Sequence, residues 1–229
     1  MIILKKYVEL IYRITFIIVS GISIMLHFKL NDGDYNTHEF SFFTVQSNIF
    51  CFVMMITLLI KYYVGKDTCS KWLIYFKGMA LSAILCTFLV YHFAESRNKY
   101  QLLVIGIFGI PSKDLFAHYL TPFMFVLDWL IFQPKGYFRW WHVLGWLAFP
   151  LIYFFSFVTR CCCNEASAFI NVAKYPYFFL DYETLGMGKF MNYIFVLAII
   201  IIAENTLIVM IDKLMYKYSL KKHSIDKNV

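Results

Sequence analysis

Six stretches of about twenty mostly apolar residues run through this chain, each long enough to cross a bilayer. They lie near Tyr7–Phe28, Phe40–Val64, Trp72–Ala94, Asp114–Phe132, Arg139–Thr159 and Phe190–Ile211. Backbone inside hydrocarbon must satisfy its own hydrogen bonds, so each stretch is read as a helix. The sequence therefore predicts an all-α fold, a polytopic membrane bundle of six transmembrane helices. No repeat, linker or low-complexity segment interrupts it, so residues 1–229 read as a single integral membrane domain. A further apolar run, Leu102–Ile110, is too short to span and reads as an interfacial or re-entrant piece.

Composition agrees. The chain is 61% hydrophobic and 15% charged, against about 45–50% and about 25% in soluble domains. A soluble core of this length cannot hide so much apolar surface. The same balance argues against a disordered chain, a nucleic-acid-binding domain or a disulfide scaffold. Cys51, Cys69, Cys86 and the run Cys161–Cys163 show no CxxC pattern and say little about compartment; the run reads as small apolar residues, with an acylation or redox site as the alternative.

The net charge is +7, and its placement matters more than its size. Lys77 apart, the 21 Lys and Arg divide thirteen to seven between alternate sets of connectors. The richer set holds the N-terminal end, the 61–71 and 133–139 loops and the C-terminal tail. By the positive-inside rule both termini are cytoplasmic. Trp72, Trp140, Trp141, Tyr62 and Tyr63 then fall at the inner interface, as aromatic belts do. The first crossing is too long for a signal peptide and lacks a cleavage site. The Lys-, Ile-, Asn- and Phe-rich usage suggests an AT-rich bacterial genome, hence the bacterial cytoplasmic membrane.

This topology assigns a depth to each polar residue. Ser41, Thr44, Ser47, Asn48 and Cys51 recur at three or four residues and form one stripe. Asp114, His118, Thr121 and Asp128 fall within roughly 80° of arc on the fourth crossing. Pro122 is expected to bend that helix below His118. With His92 ending the third crossing and His27 the first, Thr44, His92, His118 and His27 are expected to share the outer quarter of the membrane. In the inner half, Arg13, Lys77, Asp128 and Glu204 lie about 6–12 Å from the boundary. Buried charges at that depth are expected to pair, either as a structural ion network or as a proton or ion path.

The outer cluster suggests chemistry. A threonine hydroxyl becomes a nucleophile when a base takes its proton, and neutral histidine is the usual base. Thr44 is the candidate nucleophile and His118 the candidate base. Asp114, one turn away, would orient the imidazole or stabilise its charged form. Asn48 or Gln46 would donate to an oxyanion, with His92 close by. The bland alternatives are back-bonding Thr and Ser, Asn as interhelical glue, and histidines meeting headgroups. His27, His92 and His118 suit zinc by ligand type, but their spacing does not support a site. No metal or other cofactor is expected; the partners are membrane lipids and a lipid-like substrate.

Three segments carry a resemblance: "FFTVQSN" at Phe42–Asn48, "HYLTPFMFVLDWLIF" at His118–Phe132 and "YPYFFLD" at Tyr175–Asp181. In order and spacing they resemble the androgen-induced protein family of six-helix membrane proteins, and its bacterial branch more closely. Animal members are threonine hydrolases of fatty acid esters of hydroxy fatty acids. The resemblance implies Thr44 as nucleophile and His118 as its histidine partner. In the animal proteins that histidine stands further from the proline, and the "QSN" and "DW" elements here point to a different substrate. The 175–181 segment is expected on the outer side as a lid. The reading is an integral membrane hydrolase of lipid esters near the outer leaflet. Its rival is a non-enzymatic transporter or lipid-binding structural protein using the intramembrane charges, against which the lack of an inverted repeat counts.

Overall fold

The computed structural model describes residues 2–29, 37–65, 68–95, 112–163 and 175–226. The helices are α1 (Ile2–Phe28), α2 (Phe43–Tyr63), α3 (Lys71–Val90), α4 (Ser112–Leu115), α5 (Thr121–Phe132), α6 (His142–Gly145), α7 (Ala148–Cys163), α8 (Tyr182–Leu185) and α9 (Met187–Asp226). No strand occurs among the described residues. Six helical stretches are long and apolar enough to cross a membrane: Lys6–Phe28, Phe43–Tyr63, Lys71–Ala94, Lys113–Phe132, His142–Cys161 and Met187–Lys221. They are the six expected crossings, and the Leu102–Ile110 run lies outside the described residues. An even number of crossings returns the chain to the side where it began; below, that side is the terminal end and the opposite one the far end.

Three boundaries differ from expectation for local reasons. The chain ahead of α2 makes a tight 3-10 turn, Thr37–Ser41, so the helix starts at Phe43 and not Phe40. Residues 133–139 are held as an irregular loop by Asp212, whose carboxylate accepts from the backbone N–H of Gly136 (2.9 Å) and Phe138 (3.0 Å). Gly136 has φ +89° there, and a Cβ on it would lie 2.7 Å from the Tyr216 ring. The fifth crossing therefore starts at His142, not Arg139. The last helix does not stop at Ile211. Its 40 residues span about 60 Å, twice a hydrocarbon core of about 30 Å.

α1, α2, α3 and α5 pack together, and α9 closes against α3 and α6. The main core joins Phe16, Met55, Leu81, Phe125, Phe138 and Trp146, all fully or almost fully buried. Gly78 lets α3 approach Trp146; a Cβ there would sit 2.1 Å from the indole. The indole N–H donates to the Tyr75 carbonyl at 3.0 Å, and the Tyr75 hydroxyl donates to the Gly145 carbonyl at 2.8 Å. Large apolar residues such as Ile152, Phe155 and Phe195 face outward, as a surface solvated by lipid tails allows. The polar stripe of α2 faces inward instead: Ser41, Thr44, Ser47, Asn48 and Cys51 are all buried.

Candidate functional site

Thr44 is the second residue of α2, in the first turn, where backbone N–H groups lack helical acceptors. Its own N–H donates to the Tyr177 hydroxyl at 3.3 Å, and its Oγ1 lies 3.4 Å from that hydroxyl. The same Oγ1 lies 3.3 Å from His118 Nε2. All three side chains are buried. The sequence placed Thr44 and His118 at a common depth; the structure puts them in direct contact.

His118 sits on a wide π-type turn, Phe116–Leu120, between α4 and α5. Pro122 supplies no N–H, so the helical ladder is interrupted at the carbonyl four residues earlier, which is that of His118. The expected disturbance at the proline takes the form of this turn, and single π turns recur at functional sites. His118 Nδ1 lies 3.2 Å from the backbone carbonyl of Asp114. A carbonyl only accepts, so in the neutral ring Nδ1 carries the proton and Nε2 presents its lone pair to Thr44. Tyr91, in the turn Tyr91–Glu95 that continues α3, stacks on the imidazole with ring centroids 3.7 Å apart.

The orienting role expected of the Asp114 carboxylate therefore falls to its backbone. The carboxylate accepts instead from the Tyr91 hydroxyl at 3.1 Å. One residue thus holds the histidine edge directly and its stacking partner through the side chain.

Two expected oxyanion donors are engaged elsewhere. Asn48 Nδ2 donates to the carbonyls of Thr44 (2.8 Å) and Ala117 (3.1 Å), which uses both amide hydrogens and fastens α2 to the turn carrying His118. Gln46 lies about 200° around α2 from Thr44 and donates to the Phe40 carbonyl at 3.0 Å. His92 contacts the Tyr119 hydroxyl at 3.3 Å, and Tyr119 packs edge-on against Tyr91; its link to the site is indirect. His27 Nδ1 points to the Ser23 carbonyl of its own helix, 2.9 Å away. Among the described residues no group of three or more His, Cys, Asp or Glu is arranged to hold a metal.

Residue-by-residue reading missed Tyr177. The 175–181 segment was expected as an outer lid, and its aromatic content was the available signal. Tyr177, Phe179 and Leu180 are in fact buried. Tyr177 stacks on Phe179 and meets Phe42 edge-on. Asp181 caps α8, accepting from the Thr184 N–H at 3.0 Å and its hydroxyl at 2.7 Å. Beside Thr44 the segment closes a cavity of about 70 Å³, bordered also by α3, α7 and α9. Its walls are almost wholly apolar.

Near the terminal end the charges do pair, with one substitution of partner. Asp128 accepts from Arg13 Nε at 3.0 Å and from Lys77 Nζ at 2.5 Å. Arg13 also bridges to Glu9 at 2.7 Å. Glu204 stands apart, and neither carboxyl oxygen has a hydrogen-bond partner among the described residues.

No family model, curated protein or solved structure matches the chain.

Proposed function

We propose that this protein is an integral membrane hydrolase of lipid esters, with Thr44 as nucleophile and His118 as base. The observation that carries the reading is the direction of the His118 ring. Its Nδ1 lies 3.2 Å from the Asp114 carbonyl, to which it donates, so Nε2 is the atom that takes a proton, and the Thr44 hydroxyl is 3.3 Å from it. Such contacts are often long without substrate and tighten in the reactive complex. The segment resemblance supports the same pair of residues.

The chemistry follows. Thr44 Oγ attacks the ester carbonyl while its proton passes to His118 Nε2. The tetrahedral oxyanion is stabilised by the Tyr177 hydroxyl and by the first-turn N–H groups of α2, where the helix dipole is positive. His118 returns the proton to the departing alcohol, leaving acyl-threonine. Water then attacks that ester, giving a proton to His118, and the free acid leaves as the proton returns to Thr44. With the termini cytoplasmic, as the cation bias implies, the site faces the outer leaflet.

The test is labelling by a fluorescent fluorophosphonate. Label is expected on Thr44 in the wild type, and none in Thr44→Ala or His118→Ala. An unlabelled but folded wild-type protein would sink the proposal.

A further inference from the structure

We propose that the terminal end of α9, with the loop it is fastened to, binds the headgroup of an anionic phospholipid through Lys213, Lys217 and Arg139 around the Trp140 indole. This patch lies at the end of the bundle opposite Thr44, and the inference does not depend on the hydrolase reading.

Asp212 sets the level. Its carboxylate accepts from the backbone N–H of Gly136 and Phe138, which holds this point of α9 beside the 133–139 loop. Tyr137, Trp140 and Trp141 there are 43–55% exposed. Exposed Tyr and Trp at the ends of crossings collect at the headgroup level. Hydrocarbon therefore ends near Asp212, and the next turns of α9 pass through the headgroup layer. That layer is about 5–8 Å deep on each side, the difference between about 40–45 Å overall and about 30 Å of hydrocarbon. Lys217 stands about 6 Å beyond Lys213 along the helix, so both belong to the layer. Lys221, about 12 Å beyond Lys213, lies past it.

The cations share one place. Lys213 and Lys217 are four residues apart and lie on one face of α9. Lys213 Nζ stands over the Trp140 ring, 5.7 Å from its centroid, which turns that face toward the loop. Arg139, next to Trp140 in the chain, is exposed, as is Lys217. None of the three forms an ion pair among the described residues. Asp212 gives its carboxylate to the loop backbone, and Glu9 is paired with Arg13. The patch therefore takes its counter-charge from outside the protein. A phosphodiester at this depth supplies it, with the indole against the glycerol. A zwitterionic lipid brings its own ammonium into the same layer, where three cations oppose it. Selection for a net negative headgroup follows, at about fivefold for each cation.

The test uses full-length protein in a neutral maltoside detergent. Thermal stabilisation is titrated with dioctanoyl phosphatidylglycerol, dioctanoyl phosphatidylcholine and inorganic phosphate. The proteins are the wild type, the double variant Lys213→Gln/Lys217→Gln, and Lys71→Gln, which removes an exposed cation of the same end from the start of α3. Partition of each lipid into micelles is common to the three proteins and cancels in the comparison.

Phosphatidylglycerol is expected to half-saturate the wild type at a far lower concentration than phosphatidylcholine. The double variant should need about 25-fold more of it, with the phosphatidylcholine curve unmoved, and Lys71→Gln should match the wild type. Equal curves for the two lipids in the wild type overturn the site, as does a double variant that titrates like the wild type. A shift in Lys71→Gln as large as in the double variant means attraction spread over the whole face, and also overturns it. Stabilisation by inorganic phosphate at the same concentrations makes this a free-anion site and overturns the lipid. If the double variant does not fold, Lys217→Gln alone replaces it, with about a fivefold shift expected.

Discussion

The two buried polar clusters are built on opposite terms. Near the terminal end, Arg13, Lys77, Asp128 and Glu9 are tied by ion pairs of 2.5–3.0 Å. Those charges are balanced and matched within the protein. At the far end, Thr44, His118 and Tyr177 meet in contacts of 3.3–3.4 Å, beside an apolar cavity. Charge in a low-dielectric setting is costly unless paired, so the first cluster must be satisfied at all times. Neutral hydroxyls cost less to leave loosely bonded, and a reactive group needs a proton it can give up. The ion cluster accordingly reads as a clamp joining α1, α3 and α5, and the looser cluster as the site.

The largest expected effect breaks the clamp. Asp128→Asn leaves two buried cations without their shared anion and should cost about 3–5 kcal/mol, the usual result of removing one partner. Denaturant titration of the purified protein gives the number. The molecules that remain folded should still label at Thr44; loss of label per folded molecule would mean that the clusters are coupled and the contrast is wrong.

The next effect belongs to the site. Tyr177→Phe removes one hydroxyl from the nucleophile and the developing oxyanion. A drop in turnover of about 10²-fold is expected, in the range for losing one such donor. Stability should fall by only about 1 kcal/mol, the net value of one hydrogen bond. Equal loss of turnover and of folded protein would instead make Tyr177 a packing residue.

Between the clusters lies Gly78, next to Lys77 on α3. Gly78→Ala forces a methyl into the Trp146 ring, an overpacking worth about 1–3 kcal/mol. If the site is insulated from the clamp, the unfolding midpoint drops while turnover at saturating substrate is unchanged.

The smallest effect is a pH dependence outside the spans. Lys135 donates to the Trp129 carbonyl and lies over the Trp129 ring. Burial lowers its ammonium from the ordinary 10.5 to about 8. Between those values the unfolded chain binds more protons than the folded one, so stability rises with pH. Below about pH 8 the cost of holding the charged form is fully present. Unfolding midpoints should climb from pH 8 toward 10.5 in the wild type, and the climb should shrink in Lys135→Gln. An identical slope in both proteins would assign it to other groups.

Much of this was legible in the chain and some was not. Lys77 and Asp128 stand far enough inside their helices that pairing was the expected outcome, and they pair. Thr44 and His118 were candidates from residue type, depth and the resemblance. Glu204 misled because depth and residue type do not fix which helices become a charge's neighbours, and neither of its carboxyl oxygens has a hydrogen-bond partner among the described residues. Asn48, Gln46 and Asp114 were assigned roles that depend on side-chain torsion and on competing backbone acceptors, neither of which spacing encodes. Tyr177 reaches the site from a connecting segment, whose path no periodicity describes.

The sequence by itself determined the six crossings, their helical form and the inward stripe of α2, because hydrocarbon imposes length and hydrogen bonding on each segment separately. Only the tertiary structure decided which helices became neighbours. That choice matched Asp128 with Arg13 and Lys77, set the His118 ring against the Asp114 carbonyl, and left an apolar cavity beside Thr44. Those are contacts between segments far apart in the chain, fixed by the mutual packing of side chains.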